Sequence, residues 1–340
     1  MVGTVDDAPK WAADPAQPLR LAQDAGLHAI VLSAVWKRGA HAAADLPPLQ
    51  RAVAACKQAG IRPVLAVYQF SSSTPSSPPD RAASAAYAAA LARALPDVHD
   101  VIVGNEPNLN LFWLPQFDGS GGDAAADSYE QLLAATYDAL KQVNGKLDVI
   151  GGGLAPHGGD DPSAARQTHS PTRFIADLGR AYRASGRTKP LMDAFSIHVY
   201  GESARVPPTL AHPHTTSIGL ADYGKLVRLL GRAFDGTAQL GSKLPIVYGE
   251  YGVETAVPAA HRAAYTGNEV VATVDAGTQA RYYVKAIRMA ACQPTVRMLF
   301  LFHVADEPRL AGLQSGLFYA DGTPKPSARA VRQASLTCGS

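Results

Sequence analysis

Eight times along this chain a short apolar run rich in β-branched residues gives way to a longer Ala- and Leu-rich segment of helical period. Few folds accommodate that rhythm. After an N-terminal "VGTVDD" the runs are "AIVLSAVW" (29–36), "RPVLAVY" (62–68), "DVIVG" (100–104), "DVIGGG" (148–153), "AFSIHVY" (194–200), "PIVYGEYG" (245–252) and "MLFLFHV" (298–304). Such continuous runs read as parallel strands buried on both faces rather than half-exposed ones. Between them, "DPAQPLRLAQDAG" and the segments 45–59, 80–95, 125–143, 171–185, 220–235, 277–292 and 325–336 carry helical patterns. Eight β-then-α units are the count of a (β/α)8 barrel, and the spacing predicts a single barrel domain over residues 1–340. A doubly wound sheet would want a nucleotide-type glycine loop after an early strand, and "VDDAPKW" has none. "GGG" at 151–153 lacks the Lys-Ser/Thr of a phosphate loop and reads as room for close backbone approach. "SSSTPSSPPD" (71–80) sits between a strand and a helix at normal spacing, which makes it a loop on the barrel's mouth.

Composition excludes several classes of partner. Hydrophobic residues make up 47% of the 340 and charged ones 18%, with no apolar run long enough to cross a bilayer. The formal charge is only +2, with Lys and Arg scattered, so neither nucleic acid nor an anionic membrane is implied. Three cysteines show no zinc-type spacing. Cys56 lies in a helical pattern and reads as a buried apolar residue; a Cys292–Cys338 disulfide tying down the tail is expected, which implies an oxidising compartment. Met1-Val2-Gly3 runs straight into strand-like sequence, so an exported protein would here be in its trimmed, secreted form. His212 and His214 in "AHPHTT" look metal-like but lack carboxylate or Cys partners, and they read as a surface loop. Neither a metal nor an organic cofactor is expected.

In a barrel, side chains at the C-terminal ends of the strands converge on one mouth. Glu106 follows the fourth strand in "VIVGNEPN", and Glu250 ends the seventh in "IVYGEYG". Gly, Asn and Pro around Glu106 are turn formers, so a plain turn is the competing reading there. Glu250 is harder to explain that way, because an unpaired carboxylate ending a buried strand is costly. Two carboxylates facing each other across a mouth are what glycoside hydrolysis needs.

Asn-Glu-Pro after strand four, a lone Glu ending strand seven and "HVY" ending strand six resemble glycoside hydrolase clan A, the superfamily that includes families 5 and 39. The resemblance implies a retaining O-glycoside hydrolase with Glu106 as general acid/base and Glu250 as nucleophile. It also implies that Asn105 binds a sugar 2-hydroxyl and that His198 and Tyr200 support the site, Tyr200 donating to the nucleophile. Carboxyl groups roughly 5 to 5.5 Å apart repel, so one pKa should rise, and hydrogen bonds to Glu250 would leave the raised value on Glu106. A catalytically silent carbohydrate-binding barrel is the alternative. A barrel lyase or aldolase would want a strand-end Lys or a metal ligand.

Several members of the clan carry an Arg on strand two, a His after strand three and a Trp ending strand eight. This chain has Ser33 and Trp36, Tyr68 and Gln69, and Phe302 and His303 there. His303 reads either as a ligand for a sugar hydroxyl or as a structural residue, and Asp6 and Asp7 as sugar contacts or as caps of the first helix. Trp36 and Trp113 fall on mouth loops, where stacking on sugar is expected and covering the barrel edge is the alternative. The long segment 253–275, with Tyr265 and Glu269, reads as a lid or subsite wall. An oligosaccharide, polysaccharide or simpler glycoside is the expected substrate; endo and exo action remain open.

Overall fold

In a computed structural model, which describes residues 1–334 and Cys338, the eight runs become eight parallel strands closed into a barrel in chain order. They are β1 (Val2–Val5), β2 (Ala29–Val35), β3 (Arg62–Tyr68), β4 (Asp100–Val103), β5 (Asp148–Leu154), β6 (Ala194–His198), β7 (Ile246–Tyr251) and β8 (Val296–Phe302). Closure is made by β1 on β8, in register from Val2 against Leu299 to Val5 against Phe302. The helices are α1 (Ala8–Trp11), α2 (Ala16–Asp24), α3 (Leu46–Gln58), α4 (Pro78–Ala94), α5 (Ala124–Val143), α6 (Pro171–Ala184), α7 (Tyr223–Phe234), α8 (Ala276–Ala291) and α9 (Pro326–Arg332). α1 is a single turn that the periodicity did not anticipate. The expected helix 325–336 stops at Arg332, and its positions 335 and 336 lie outside the described residues.

The strands read as unbroken apolar runs because both of their faces are covered. Inward-facing Ala29, Val31, Val64, Ile102, Ile150, Ala194, Val247, Met298 and Phe300 fill the barrel's interior. The alternate residues, such as Ile30, Leu65, Val101, Val149, Phe195, Ile246 and Leu299, pack against the helices. Each such side chain contributes roughly 1.5–3 kcal/mol when fully removed from water. Helix starts follow local chemistry. Ser77, Asp123, Ser170 and Asp275 each accept the backbone N–H three residues on, those of Asp80, Ala126, Arg173 and Thr278, and Pro opens α4 and α6. Ser77 therefore starts α4 two residues before the expected position.

Cys292 and Cys338 form a disulfide, their Cα atoms 4.7 Å apart, while Cys56 is a free, buried thiol, as expected. Among the described residues no helix is long and apolar enough to cross a membrane.

The glycine run of β5 decides how the mouth is built. Gly152 has φ +90° and Gly153 φ +60°, backbone that side chains rarely adopt. A Cβ on Gly152 would stand 2.4 Å from the Ser196 carbonyl oxygen. Beside this close approach to β6, Tyr129 of α5 bridges two strand ends: its hydroxyl donates to the Val103 carbonyl at 2.7 Å and accepts from Gly152 N at 2.8 Å. Gly152→Ala is expected to lower unfolding stability by roughly 2–4 kcal/mol, read from the denaturation midpoint; a change within 0.5 kcal/mol, the ordinary surface range, would show that the approach is not required.

Candidate active site

Glu106 stands just past β4 with φ +40°, a left-handed conformation that costs a non-glycine residue about 1–3 kcal/mol. Its neighbours hold it there. Glu106 N donates to the Gly153 carbonyl at 2.8 Å, and Gly104 N to the Val67 carbonyl at 2.8 Å. Buried Asn108 fastens the other end of the turn: Nδ2 donates to the carbonyls of Ala155 at 3.2 Å and His169 at 3.0 Å, and Oδ1 accepts from Ala155 N at 2.9 Å. The turn formers of "GNEPN" thus fix a strained residue whose side chain enters the mouth.

Glu250 lies on β7 in register with His198 on β6. His198 Nδ1 is 2.9 Å from Glu106 Oε1 and 3.4 Å from Glu250 Oε2, so one imidazole nitrogen sits between the two carboxyl groups. Tyr200, just beyond β6, donates its hydroxyl to Glu250 Oε2 at 2.9 Å. One oxygen from each glutamate and a nitrogen of His198 all lie within 4.8 Å of one another. Burial pulls the His198 pKa down, but the Glu250 charge and the hydrogen bond and charge of Glu106 outweigh it and hold the ring above its ordinary value. Burial and the charge of Glu250 keep the Tyr200 hydroxyl protonated, its pKa well above the ordinary range.

The raised carboxyl is Glu250, pushed up to about 7 chiefly by burial and then by the charge of Glu106, against the opposing pull of His198 and Tyr200. This corrects the expectation that hydrogen bonds would hold the Glu250 carboxyl down. Sequence shows a hydrogen-bond donor near Glu250; it does not show how far water is excluded from the end of β7, and here desolvation outweighs the donor.

Two carboxylates and an imidazole are also a donor set that a divalent cation accepts. The hydrogen bonds from His198 and Tyr200 already give each glutamate a partner.

Glu106, Glu250 and His198 line a cavity of about 310 Å³ at the C-terminal ends of the strands, together with Asn105, His303, Asp6, Asp7 and Ser33, while Tyr200 lines the neighbouring cavity. Asp7 makes no cap to α1; its carboxylate accepts from Ser33 N at 2.8 Å and from the Ser33 hydroxyl. Asp6 accepts from Ala8 N at 2.7 Å and Val304 N at 2.9 Å, tying the end of β1 to α1 and to the segment after β8. His303 reaches the cavity with φ +68°.

Trp36 and Trp113 are not in the cavity. Both are fully buried, and the expectation of exposed stacking platforms is corrected. Trp36 Nε1 donates to the Ala40 carbonyl at 3.2 Å. Trp113 meets Tyr129 edge-on at 5.5 Å and donates to Ser128 Oγ at 2.8 Å, so it packs the loop onto α5. The aromatic wall comes instead from Tyr68, Phe70, Phe112 and Phe302. Phe70 and Phe112 stack at 5.5 Å, and Tyr68 stands edge-on to both. Phe112 immediately precedes Trp113, so the sequence reading missed the platform by one position. His212 is likewise not a surface residue: it is buried between Asp222 at 2.7 Å and Glu202 at 2.9 Å. Tyr265 is buried with its hydroxyl on Asp306 at 2.7 Å, whereas Val271 of the same long segment lines a neighbouring cavity.

No protein-family model matches the sequence, and no curated protein does. Solved structures resemble it in backbone. A family 39 glycoside hydrolase from the gut symbiont Bacteroides cellulosilyticus WH2 aligns with TM-score 0.71 and 19% identity over 98% of this chain and 63% of that one. A family 39 β-xylosidase from Caulobacter crescentus gives TM-score 0.59 and 18% identity over 97% and 69%. A β-glucuronidase from Bacteroides uniformis gives 0.58 and 13% over 98% and 34%. This chain therefore spans less than two thirds of the length of the Bacteroides cellulosilyticus enzyme. At these identities the likeness establishes the barrel fold.

Glu250 should be visible directly. Isotope-edited infrared titration is expected to show a carboxyl titrating near pH 7 that disappears in Glu250→Gln. In Tyr200→Phe it should move to higher pH, because the lost hydroxyl favoured the ionised form. Titration near the ordinary ~4.3 would remove the argument from burial.

Proposed function

We propose that the chain is a retaining O-glycoside hydrolase working by double displacement, with Glu106 as general acid/base and Glu250 as nucleophile. The observation that carries this reading is the approach of the two glutamates across the mouth, with oxygens within 4.8 Å. Retaining enzymes hold their carboxyl groups roughly 5–5.5 Å apart, whereas inverting ones leave roughly 6.5–9.5 Å for a water. The resemblance in backbone to solved glycosidases supports the same class.

In the first step Glu250 attacks the anomeric carbon while Glu106 gives its proton to the departing oxygen. Glu250 must therefore be ionised and Glu106 protonated. His198 stands between them: the charged ring can give its Nδ1 proton to Glu106, 2.9 Å away, and take one back at the same nitrogen from Glu250, 3.4 Å away, which leaves Glu106 protonated and Glu250 ionised. Once Glu250 is esterified to the sugar its charge is gone, and Glu106, now a base, takes a proton from the attacking water. Tyr200 holds Glu250 in line, and Asn105 and His303 are placed to bind hydroxyls of the ring. The cavity of about 310 Å³ lies at the small end of ligand sites, and a second of about 510 Å³ shares Phe302 with it, which together offer room on both sides of a scissile bond. The disulfide fits a secreted protein. We read residues 1–340 as one catalytic domain.

Glu250→Ala should cut turnover of activated aryl glycosides by at least roughly 10,000-fold. Added azide should restore it, giving a glycosyl azide of inverted configuration; absence of rescue would exclude Glu250 as the nucleophile. Glu106→Ala should slow substrates with poor leaving groups by about 100- to 10,000-fold and leave the first step of dinitrophenyl glycosides nearly intact. An equal loss on both kinds of leaving group would mean that Glu106 does not protonate the departing oxygen.

A further inference from the structure

The cavity over the glutamate pair carries an excess of acidic groups. Four carboxyl groups line it, those of Asp6, Asp7, Glu106 and Glu250. Its two imidazoles belong to His198 and His303, and His198 is already engaged by both glutamates at 2.9 and 3.4 Å. Among the described residues no Lys or Arg side chain lines it. Lys10 stands behind the wall: it is 2% exposed, and its Nζ is 2.5 Å from the Ser33 carbonyl, 2.7 Å from Asp45 and 3.6 Å from Asp7.

We infer that the site takes an uncharged glycone, recognised through its hydroxyl groups by Asp7, and turns away uronic acids. The inference rests on the glycosidase reading above and adds the substrate class to it. The fold alone does not choose between neutral and acidic sugars; the wall does. Asp7 is the group placed to make that choice. Its side chain is 32% exposed within the cavity lining, while Ser33 N and the Ser33 hydroxyl each hold one of its oxygens. Every carboxylate oxygen has a second acceptor position, so a fixed Asp7 offers two acceptors to a pair of sugar hydroxyls, each of which can donate. A sugar carboxylate has no hydrogen to donate and brings a like charge against the carboxylate of Asp7. Asp6 is less suited to recognition, because both of its oxygens are held by backbone N–H groups and its side chain is nearly buried.

Matched pairs of 4-nitrophenyl glycosides test this, the glucoside against the glucuronide and the galactoside against the galacturonide, in both anomers. For the wild-type protein the neutral member of the best pair should have the higher kcat/KM by at least about 100-fold. Asp7→Asn keeps the shape but removes the charge and adds an N–H donor. It should narrow that ratio about tenfold while weakening the neutral substrate. Ser33→Ala releases one Asp7 oxygen and should raise KM for the neutral member with the ratio retained. A uronide turned over as well as its neutral partner overturns the inference and leaves the glycosidase reading standing. A ratio unchanged in folded Asp7→Asn removes Asp7 as its source and also overturns it. If no member of any pair is hydrolysed, the glycosidase reading fails and takes this inference with it.

Discussion

His198 is buried between two carboxyl groups, and the barrel's mouth is organised around that contact. An imidazole in such a place loses its water and would shed its proton if nothing opposed the loss. Glu106 and Glu250 oppose it, and they in turn need a cation or donor between them, since two carboxylates this close repel. Each group therefore biases the protonation of its neighbours, and His198 is the member whose loss would leave two facing carboxylates without a cation between them. The proton held in common is also what the proposed two-step displacement would have to move. Structure and chemistry make the same demand on these three side chains.

The backbone carries the cost of bringing them together. Glu106 adopts φ +40° because the Gly153 carbonyl, Asn108 and the Tyr129 bridge leave it no other path. Gly152 N donates into that bridge and the Gly153 carbonyl accepts from Glu106 N, so a run that looks like an unremarkable strand end helps to hold a glutamate some fifty residues earlier. Strain of this kind persists where surrounding contacts over-determine it, and it gathers at functional sites.

Much of this was legible in the sequence, and the rest failed for definite reasons. Strand runs buried on both faces leave an unmistakable composition, so β2 to β8 fall close to their expected positions. Glu106, Glu250, His198 and Tyr200 could be paired because strand ends in a barrel share one mouth. Rotation about a loop leaves no such trace. Phe112 and Trp113 are adjacent, and only packing against Tyr129 and Ser128 shows that the larger ring turns inward. The raised carboxyl of Glu250 was invisible for a related reason: desolvation depends on what stands over a residue, and neighbours in sequence do not report it. His212 failed in the same way, since Glu202 and Asp222 are ten residues away on either side.

The acidic wall completes the electrostatic argument. Asp7, Lys10, Ser33 and Asp45 come from the first two β-then-α units, on the far side of the barrel from His198. Lys10 balances Asp7 and Asp45 from behind without entering the cavity, so the ion pairs are hidden from a ligand and the acceptor oxygens of Asp7 are not. Had the lysine stood in front, the same residues would make an anion site. The order of layers, ammonium behind and carboxylate before, gives the cavity its negative character at constant composition. In the reaction proposed above, positive charge would develop on the sugar ring as the glycosidic bond breaks, and a carboxylate facing the cavity at Asp7 would favour that cation over the neutral ground state, which is the difference that accelerates such a step.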